Sequence, residues 1–196
     1  DPLTHLFNRA GIQEKVSEVL IVSRRNKQPF YLFFLDLDNF KFYNDTYGHD
    51  VGDMLLNAVA SILTKHLKRN DIAGRLGGDE FVVCLRDCKT TGKVNETANA
   101  IIEDITRISH INGAAVSLSA SMGVAGFPQD GESLTELFKA ADDAMYLAKG
   151  AGKNQVYFPG VASKHSVYML SPAELTNAIA NDELELFFQP IMSIHS

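Results

Sequence analysis

Asp79 and Glu80 follow a glycine pair inside the stretch Arg75-Leu-Gly-Gly-Asp-Glu-Phe-Val-Val-Cys-Leu85. Two adjacent carboxylates on a tight turn repel one another, and a divalent cation relieves that repulsion. Taken alone, the four residues also read as a solvated hairpin turn. Asp36 and Asp38 close the run Phe30-Tyr-Leu-Phe-Phe-Leu-Asp-Leu-Asp38. A carboxylate after a buried run is unfavourable unless it is paired or binds a metal. The alternative is that Asp38 or Asn39 caps the next turn. Asp36 still belongs to the strand, where capping is no explanation.

Asn44, His49 and Asp53 follow at spacings of five and four. Asn and Asp together offer donors and acceptors to the edge of a base. An acidic group facing a ring N–H and an exocyclic amine favours guanine. His49 reads equally as a structural hydrogen-bonder. Lys149 and Lys153 flank the glycine-rich end of a helical segment. They are placed either to meet phosphates or as favourable charge at a helix C-terminus, worth about 0.3–1 kcal/mol.

Periodicity predicts the elements that hold these groups. After the turn-rich lead-in Asp1 to Gly11, the positions Ile12, Val16, Val19, Leu20 and Val22 recur at helical spacing. Pro29 follows that helix, as expected near a stop. Phe30 to Leu37 is nearly all apolar, so it reads as a central strand buried on both faces. The segment from Asn39 to Asp53 is too polar for core. Leu55, Leu56, Val59, Ile62, Leu63 and Leu67 mark an amphipathic helix over Val51 to Leu67. Ile72 to Leu76 and Phe81 to Leu85 read as a β-hairpin, with Gly77 and Gly78 tolerating φ > 0 at its turn. A helix over Val94 to Ile108, a strand over Ala115 to Val124, a loop over Gly126 to Gly131, a helix over Leu134 to Lys149 and a short strand over Val156 to Phe158 complete the order. The hairpin and the mixed connections predict an α+β sheet rather than a doubly wound one.

Composition narrows the classes. The chain has 196 residues, 45% hydrophobic and 21% charged, ordinary for one globular domain and a tail. No apolar run approaches the ~20 residues of a membrane span. A net charge of −6 argues against nucleic acid as a partner, although a nucleotide can be held by local basic residues. The two cysteines, Cys84 and Cys88, are too few for a disulfide framework, and Cys84 reads as a small core residue. A cytoplasmic location is expected. The chain opens abruptly at Asp1 and reads as a piece of a longer protein, so upstream segments, a membrane anchor among them, belong to the expectation.

Gly77-Gly78-Asp79-Glu80-Phe81 matches the signature pentapeptide of GGDEF domains, the diguanylate cyclases. The likeness extends well beyond it. Asp1-Pro-Leu-Thr-His-Leu-Phe-Asn-Arg9 resembles the family's opening segment, with His5 where Gly is usual. Asp36-Leu-Asp-Asn-Phe-Lys41, Asn44-Asp45, Tyr47-Gly48-His49, Gly52-Asp53, Ala140 to Lys149 and Gly152-Lys-Asn154 match in order and spacing. The resemblance covers Asp1 to about Phe158, and residues 1–159 are taken as the domain.

It implies a palm-type fold, ferredoxin-like and related to nucleotide cyclases, with a mostly antiparallel central sheet and flanking helices. It also implies condensation of two GTP into cyclic di-GMP and two pyrophosphates, in bacterial second-messenger signalling. Carried over residue by residue, Asp36, the Leu37 carbonyl, Asp79 and Glu80 would hold Mg²⁺ or Mn²⁺, with Asp79 as general base and Glu80 supporting the metal site. The backbone of Asn39, Phe40 and Lys41 would hold phosphate oxygens. Asn44 and Asp53 would read guanine, with His49 nearby. Lys149 and Lys153 would meet the distal phosphates. Lys153 stands where Arg is more usual and gives up bidentate geometry. One GTP per domain implies a homodimer as the active species.

An inhibitory site for the product is common in the family, built on Arg-x-x-Asp. Here Lys68 replaces the Arg, Asp71 is kept, and Arg69 points about 100° away round a helix end. Lys68 and Arg69 also read as solvated charges at a helix C-terminus, and a degenerate site with weak or absent product inhibition is expected. The stretch from Ser171 to Ile191 resembles the start of an EAL phosphodiesterase domain. It predicts a linker over 160–170 and an EAL fragment over 171–196. The full protein would then carry a downstream EAL domain and an upstream sensor. The alternative function is a catalytically silent GTP-binding module that regulates the adjoining EAL domain.

Overall fold

The computed structural model describes residues 1–86, 88 and 90–159; the expected linker and EAL fragment lie outside them. Helix α1 spans Arg9–Asn26, beginning three residues earlier than its apolar spacing indicates, because the Asn8 side chain accepts from the Gly11 N–H and caps it. Strand β1 is Phe30–Asp38. The segment expected to be too polar for core is helical, with α2 over Phe40–Tyr47 and α3 over His49–His66, and it buries Phe40 and Tyr43. Two aromatic residues one turn apart anchor an otherwise polar helix, a signal too sparse for periodicity to register. Strands β2 (Ile72–Gly77) and β3 (Glu80–Leu85) form the predicted hairpin. Helix α4 is Thr91–Thr106, capped by the Thr90 hydroxyl.

The strand expected from Ala115 is split. A two-residue pair, β4 (His110–Ile111) and β5 (Ala114–Ala115), precedes β6, which runs Ser119–Phe127. Helix α5 is Leu134–Gly150, opened by a full capping box between Ser133 and Glu136. Strand β7 is Val156–Tyr157.

The main sheet has the order β2-β3-β1-β6-β7. Every pairing in it is antiparallel except β6 with β7. Strand β1 is central and buried on both faces, as its sequence predicts. Alternation divides its side chains: Phe33, Leu35 and Leu37 pack with α3 and α4, while Phe30, Leu32 and Phe34 pack with α1 and α5. Asp36 and Asp38 share the even parity, so they emerge on the α1/α5 face. Cys84 is fully buried on β3 opposite Leu32, and no disulfide joins Cys84 and Cys88. Among the described residues no helix is long and apolar enough to cross a membrane.

Helices α3 and α4 are also joined by charge. The Asp104 carboxylate accepts from Lys65 Nζ and His66 Nε2, each at 2.9 Å, and from Arg107 at 2.9 Å. The Lys65 hydrogen bond, followed by that of His66, holds the Asp104 carboxyl down at about 2, against an ordinary 3.8. A depressed carboxylate stabilises the fold above its unfolded pKa, and the contribution is lost as pH falls through the folded one. Asp104→Asn is therefore expected to lower Tm at neutral pH. The gap to the unmodified protein should close between the ordinary value of 3.8 and about 2. Thermal unfolding across that range checks it, and a gap independent of pH would contradict it.

Candidate active site

The register of β1 against β3 sets Asp36 opposite Glu80, and the register against β6 sets it opposite Ser121. Directly opposed residues in an antiparallel pair point to one face, so both acids lie on the α1/α5 side. Asp79 sits in the two-residue turn between β2 and β3, and its carbonyl accepts from the Leu37 N–H at 3.4 Å. Gly77 and Gly78 have φ of 143° and 54°. Nothing lies within 4 Å of the space a Cβ would occupy at either. Backbone conformation, not crowding, requires glycine here. Arg75 ties the turn down through two bonds to the Gly78 carbonyl, at 2.9 and 2.8 Å. The two acids are half-buried rather than fully exposed, as a bare hairpin tip would leave them.

Two cationic side chains enter this face from the helices. Lys149 Nζ on α5 is 2.7 Å from Asp36 Oδ1. Arg9 on α1 lies 3.5 Å from Glu80 and donates to the Leu76 carbonyl at 3.1 Å. Burial raises the Asp36 pKa, the Lys149 hydrogen bond opposes that, and the charges of Asp79 and Glu80 push it further up. The balance is upward. Arg9 was legible only as part of the opening segment, and nothing local in sequence pairs it with Glu80.

These oxygen donors with mutually repelling charge are the chemistry of a hard divalent cation. No three acidic, His or Cys side chains are already gathered in metal-binding geometry among the described residues; Lys149 supplies the positive charge beside Asp36.

Asp38 does not cap the following turn. It is 3% exposed and accepts from Ser119 Oγ, Ser121 Oγ and the Asn154 N–H. Asn39 takes the N-cap position of α2 with φ of 59°, but its side chain makes no capping bond. Its Oδ1 instead accepts from Lys153 Nζ at 2.8 Å. The first N–H groups of α2, from Phe40 and Lys41, open beside that contact.

Asn44, His49 and Asp53 gather at the α2–α3 elbow, apart from the acids. Asn44 is half-buried and lies over Gly52, where a Cβ would overlap its side-chain oxygen. His49 and Asp53 are exposed and one turn apart on α3, hence on one side of it. No hydrogen bond joins the three side chains among the described residues. Helix α2 is fastened by tyrosines that sequence reading passed over. The Tyr43 hydroxyl donates to the Ser117 carbonyl at 2.6 Å, and Tyr47 donates to the Ala115 carbonyl at 3.2 Å.

Lys68 directly follows Leu67, the C-cap of α3, and Asp71 lies beyond it in a turn. Helix α3 stops at His66, and the Asp71 N–H closes a turn onto the Lys68 carbonyl. The Asp71 carboxylate accepts from the Lys68 and Arg86 backbone N–H groups, both at 2.8 Å. Its two oxygens serve the local fold. Lys68, Arg69 and Asp71 border a cavity of about 600 Å³ with His5 and Leu67.

Over residues 1–155 the chain matches the family described as diguanylate cyclase, GGDEF domain. The chain belongs to the GGDEF family. It is 37% identical over 197 residues to the signalling protein YkoW of Bacillus subtilis, covering 99% of this chain and 25% of that protein. It is 34% identical over 192 residues to MucR of Pseudomonas aeruginosa, a bifunctional diguanylate cyclase/cyclic di-GMP phosphodiesterase, covering 97% and 28%. The chain thus spans about a quarter of the length of these curated relatives. The crystal structure of the GGDEF domain of YfiN (TpbB) from Pseudomonas aeruginosa superposes with a TM-score of 0.76 at 32% identity, over 79% of this chain and 97% of that one. The expected α+β fold, with its mixed and mostly antiparallel sheet, is the fold observed.

Proposed function

We propose that this domain is a diguanylate cyclase that binds one GTP and acts as half of a homodimeric site. The observation that supports it most is the meeting of Asp36, Asp79, Glu80 and Lys149 at the end of the central strand pair. In the reaction, the 3′-oxygen of each GTP attacks the α-phosphorus of the other. Two P–O bonds form, two α–β bridging bonds break, and cyclic di-GMP and two pyrophosphates leave. Asp36, the Leu37 carbonyl, Asp79 and Glu80 would hold Mg²⁺ or Mn²⁺, which when bound polarises the phosphate and stabilises the attacking and leaving oxygens.

The chain's own groups do the rest. Asp79 takes the 3′-hydroxyl proton as general base. Lys149, which pairs with Asp36 in the structure, would meet the distal phosphates together with Lys153. The N-terminus of α2, at Asn39 to Lys41, favours phosphate oxygens through its unpaired N–H groups and dipole. Asn44 and Asp53 read the guanine edge, with His49 nearby. GTP with Mg²⁺, followed by chromatography of the products, tests the reaction. A domain that binds GTP but releases no cyclic di-GMP would support the silent module acting on an adjoining EAL domain. That second reading draws on the Lys149 ammonium already seated on Asp36.

Two results are expected within this reading. Asp53→Ala should weaken GTP binding by about tenfold, the loss of a charge-assisted hydrogen bond, and leave ATP binding nearly unchanged. An unaltered GTP/ATP preference in a binding titration would remove Asp53 from base recognition. Specific activity should also rise steeply with protein concentration, because a 3′-oxygen and an α-phosphorus must come from two domains. Activity per molecule that stays flat on dilution far below self-association would contradict the shared site.

A further inference from the structure

Asp38 is a buried carboxylate that the proposed reaction does not use. Its hydrogen-bond donors are neutral: two serine hydroxyls on β6 at 2.8 Å and the Asn154 N–H at 3.1 Å. Burying a charge against neutral donors is a costly way to hold a strand end together. What it holds is unusual. Gly152, Lys153 and Asn154 have φ of 114°, 64° and 49° in succession, and two of them carry side chains. Left-handed non-glycine residues persist only where their surroundings over-determine them. Asn154 is fixed at its N–H by Asp38 and at its side chain by Thr106 Oγ1, 3.0 Å away. On the other side of Asp38, Asn39 is also left-handed, with φ of 59°. Lys153 Nζ and Asn39 Oδ1 meet at 2.8 Å. Lys153 is the chain neighbour of Asn154, which Asp38 holds, and Asn39 is the neighbour of Asp38 itself.

We propose that Asp38 is a positioning residue for the phosphate end of the site: it clamps the 152–154 loop to the end of β1 and so aims Lys153 alongside Asn39 and the N-terminus of α2. This rests on the reading of Lys153 as a phosphate ligand. The carboxylate sets the loop, the loop sets the ammonium, and the ammonium meets the triphosphate. A structural role alone would lower stability without singling out one part of the nucleotide.

The test uses the full 196-residue chain, Mg²⁺, and a GTP analogue with a methylene between the α and β phosphorus atoms, which cannot turn over. GMP, which lacks the distal phosphates, is the control ligand. Asp38→Asn and Lys153→Ala are each expected to weaken the analogue about tenfold, the worth of one charge-assisted hydrogen bond. GMP affinity should stay within about twofold. The double variant should bind the analogue no more weakly than Lys153→Ala alone. Should Asp38→Asn fail to fold, Ser119→Ala removes the hydroxyl that orients the carboxylate oxygen holding the Asn154 N–H, and a weakening that vanishes in the Lys153→Ala background supports the clamp. Independent, multiplying effects in the double variant, equal losses for GMP and the analogue, or undiminished analogue binding in Ser119→Ala would overturn it. Wild-type analogue affinity in Lys153→Ala would overturn the phosphate role of Lys153 as well, and no analogue binding by the unmodified chain would overturn the cyclase reading itself.

Discussion

Asp79→Ala and Glu80→Ala are each expected to reduce cyclic di-GMP formation by at least about 10³-fold while the domain stays folded. Removing one preorganised electrostatic partner of a transferring group costs about 10²–10³ in rate, and these acids are read both as cation ligands and, for Asp79, as the base. Neither side chain is in the core. The contribution of Asp79 to the sheet is its carbonyl, which accepts from Leu37 and survives truncation to Ala. Glu80→Ala gives up an exposed pair with Arg9, worth about 0–1 kcal/mol. Tm should therefore shift by no more than about 2–4 °C in either variant. Both truncations also remove a negative charge that pushes the Asp36 pKa up. Turnover near the unmodified rate in either variant would end the proposed mechanism. Loss of turnover together with loss of the folded baseline in circular dichroism would show instead that the acids are structural.

Gly123→Ala is expected to be the most damaging single-methyl insertion in the described domain. Helix α5 crosses β6 with backbone against backbone at this residue. A Cβ there would overlap the Ala141 carbonyl and the Met145 N–H, and neither is a side-chain tip that can rotate away. The helix must lift or the strand must bend. Overpacking of a well-packed core costs about 1–3 kcal/mol, occasionally more, which lowers Tm by roughly 2–4 °C per kcal/mol in a domain of this size. The displacement also carries Lys149 away from Asp36. Gly126→Ala on the same strand is the control. Its nearest neighbour would be the Tyr31 ring at 2.8 Å, a half-buried side chain that can give way. Thermal unfolding should rank Gly123→Ala well below Gly126→Ala, and equal losses would refute the backbone contact as the cause.

The sequence by itself singled out the candidate groups of the site and most of the elements that bear them. The Gly-Gly turn is legible because glycine, lacking a Cβ, adopts positive φ without the steric penalty that side chains bring. The burial of β1 is legible because an unbroken apolar run leaves no polar face. That same run hid the parity of β1: with both faces apolar, no alternation indicates the side on which Asp36 and Asp38 emerge. Only the tertiary structure decided it. The antiparallel register then set Asp36 against Glu80, and the packing of α5 brought in Lys149 from more than a hundred positions away. A turn cap at Asp38 or Asn39 stood as the alternative to a paired carboxylate because local sequence shows only local partners. The true partners of Asp38, Ser119, Ser121 and Asn154, arrive through β6 and the loop after α5. Arg9, Tyr43 and Gly123 were silent for the same reason. An ion pair, a hydroxyl bonded to a distant carbonyl and a close backbone crossing are properties of two segments meeting, and neither segment's sequence records the other.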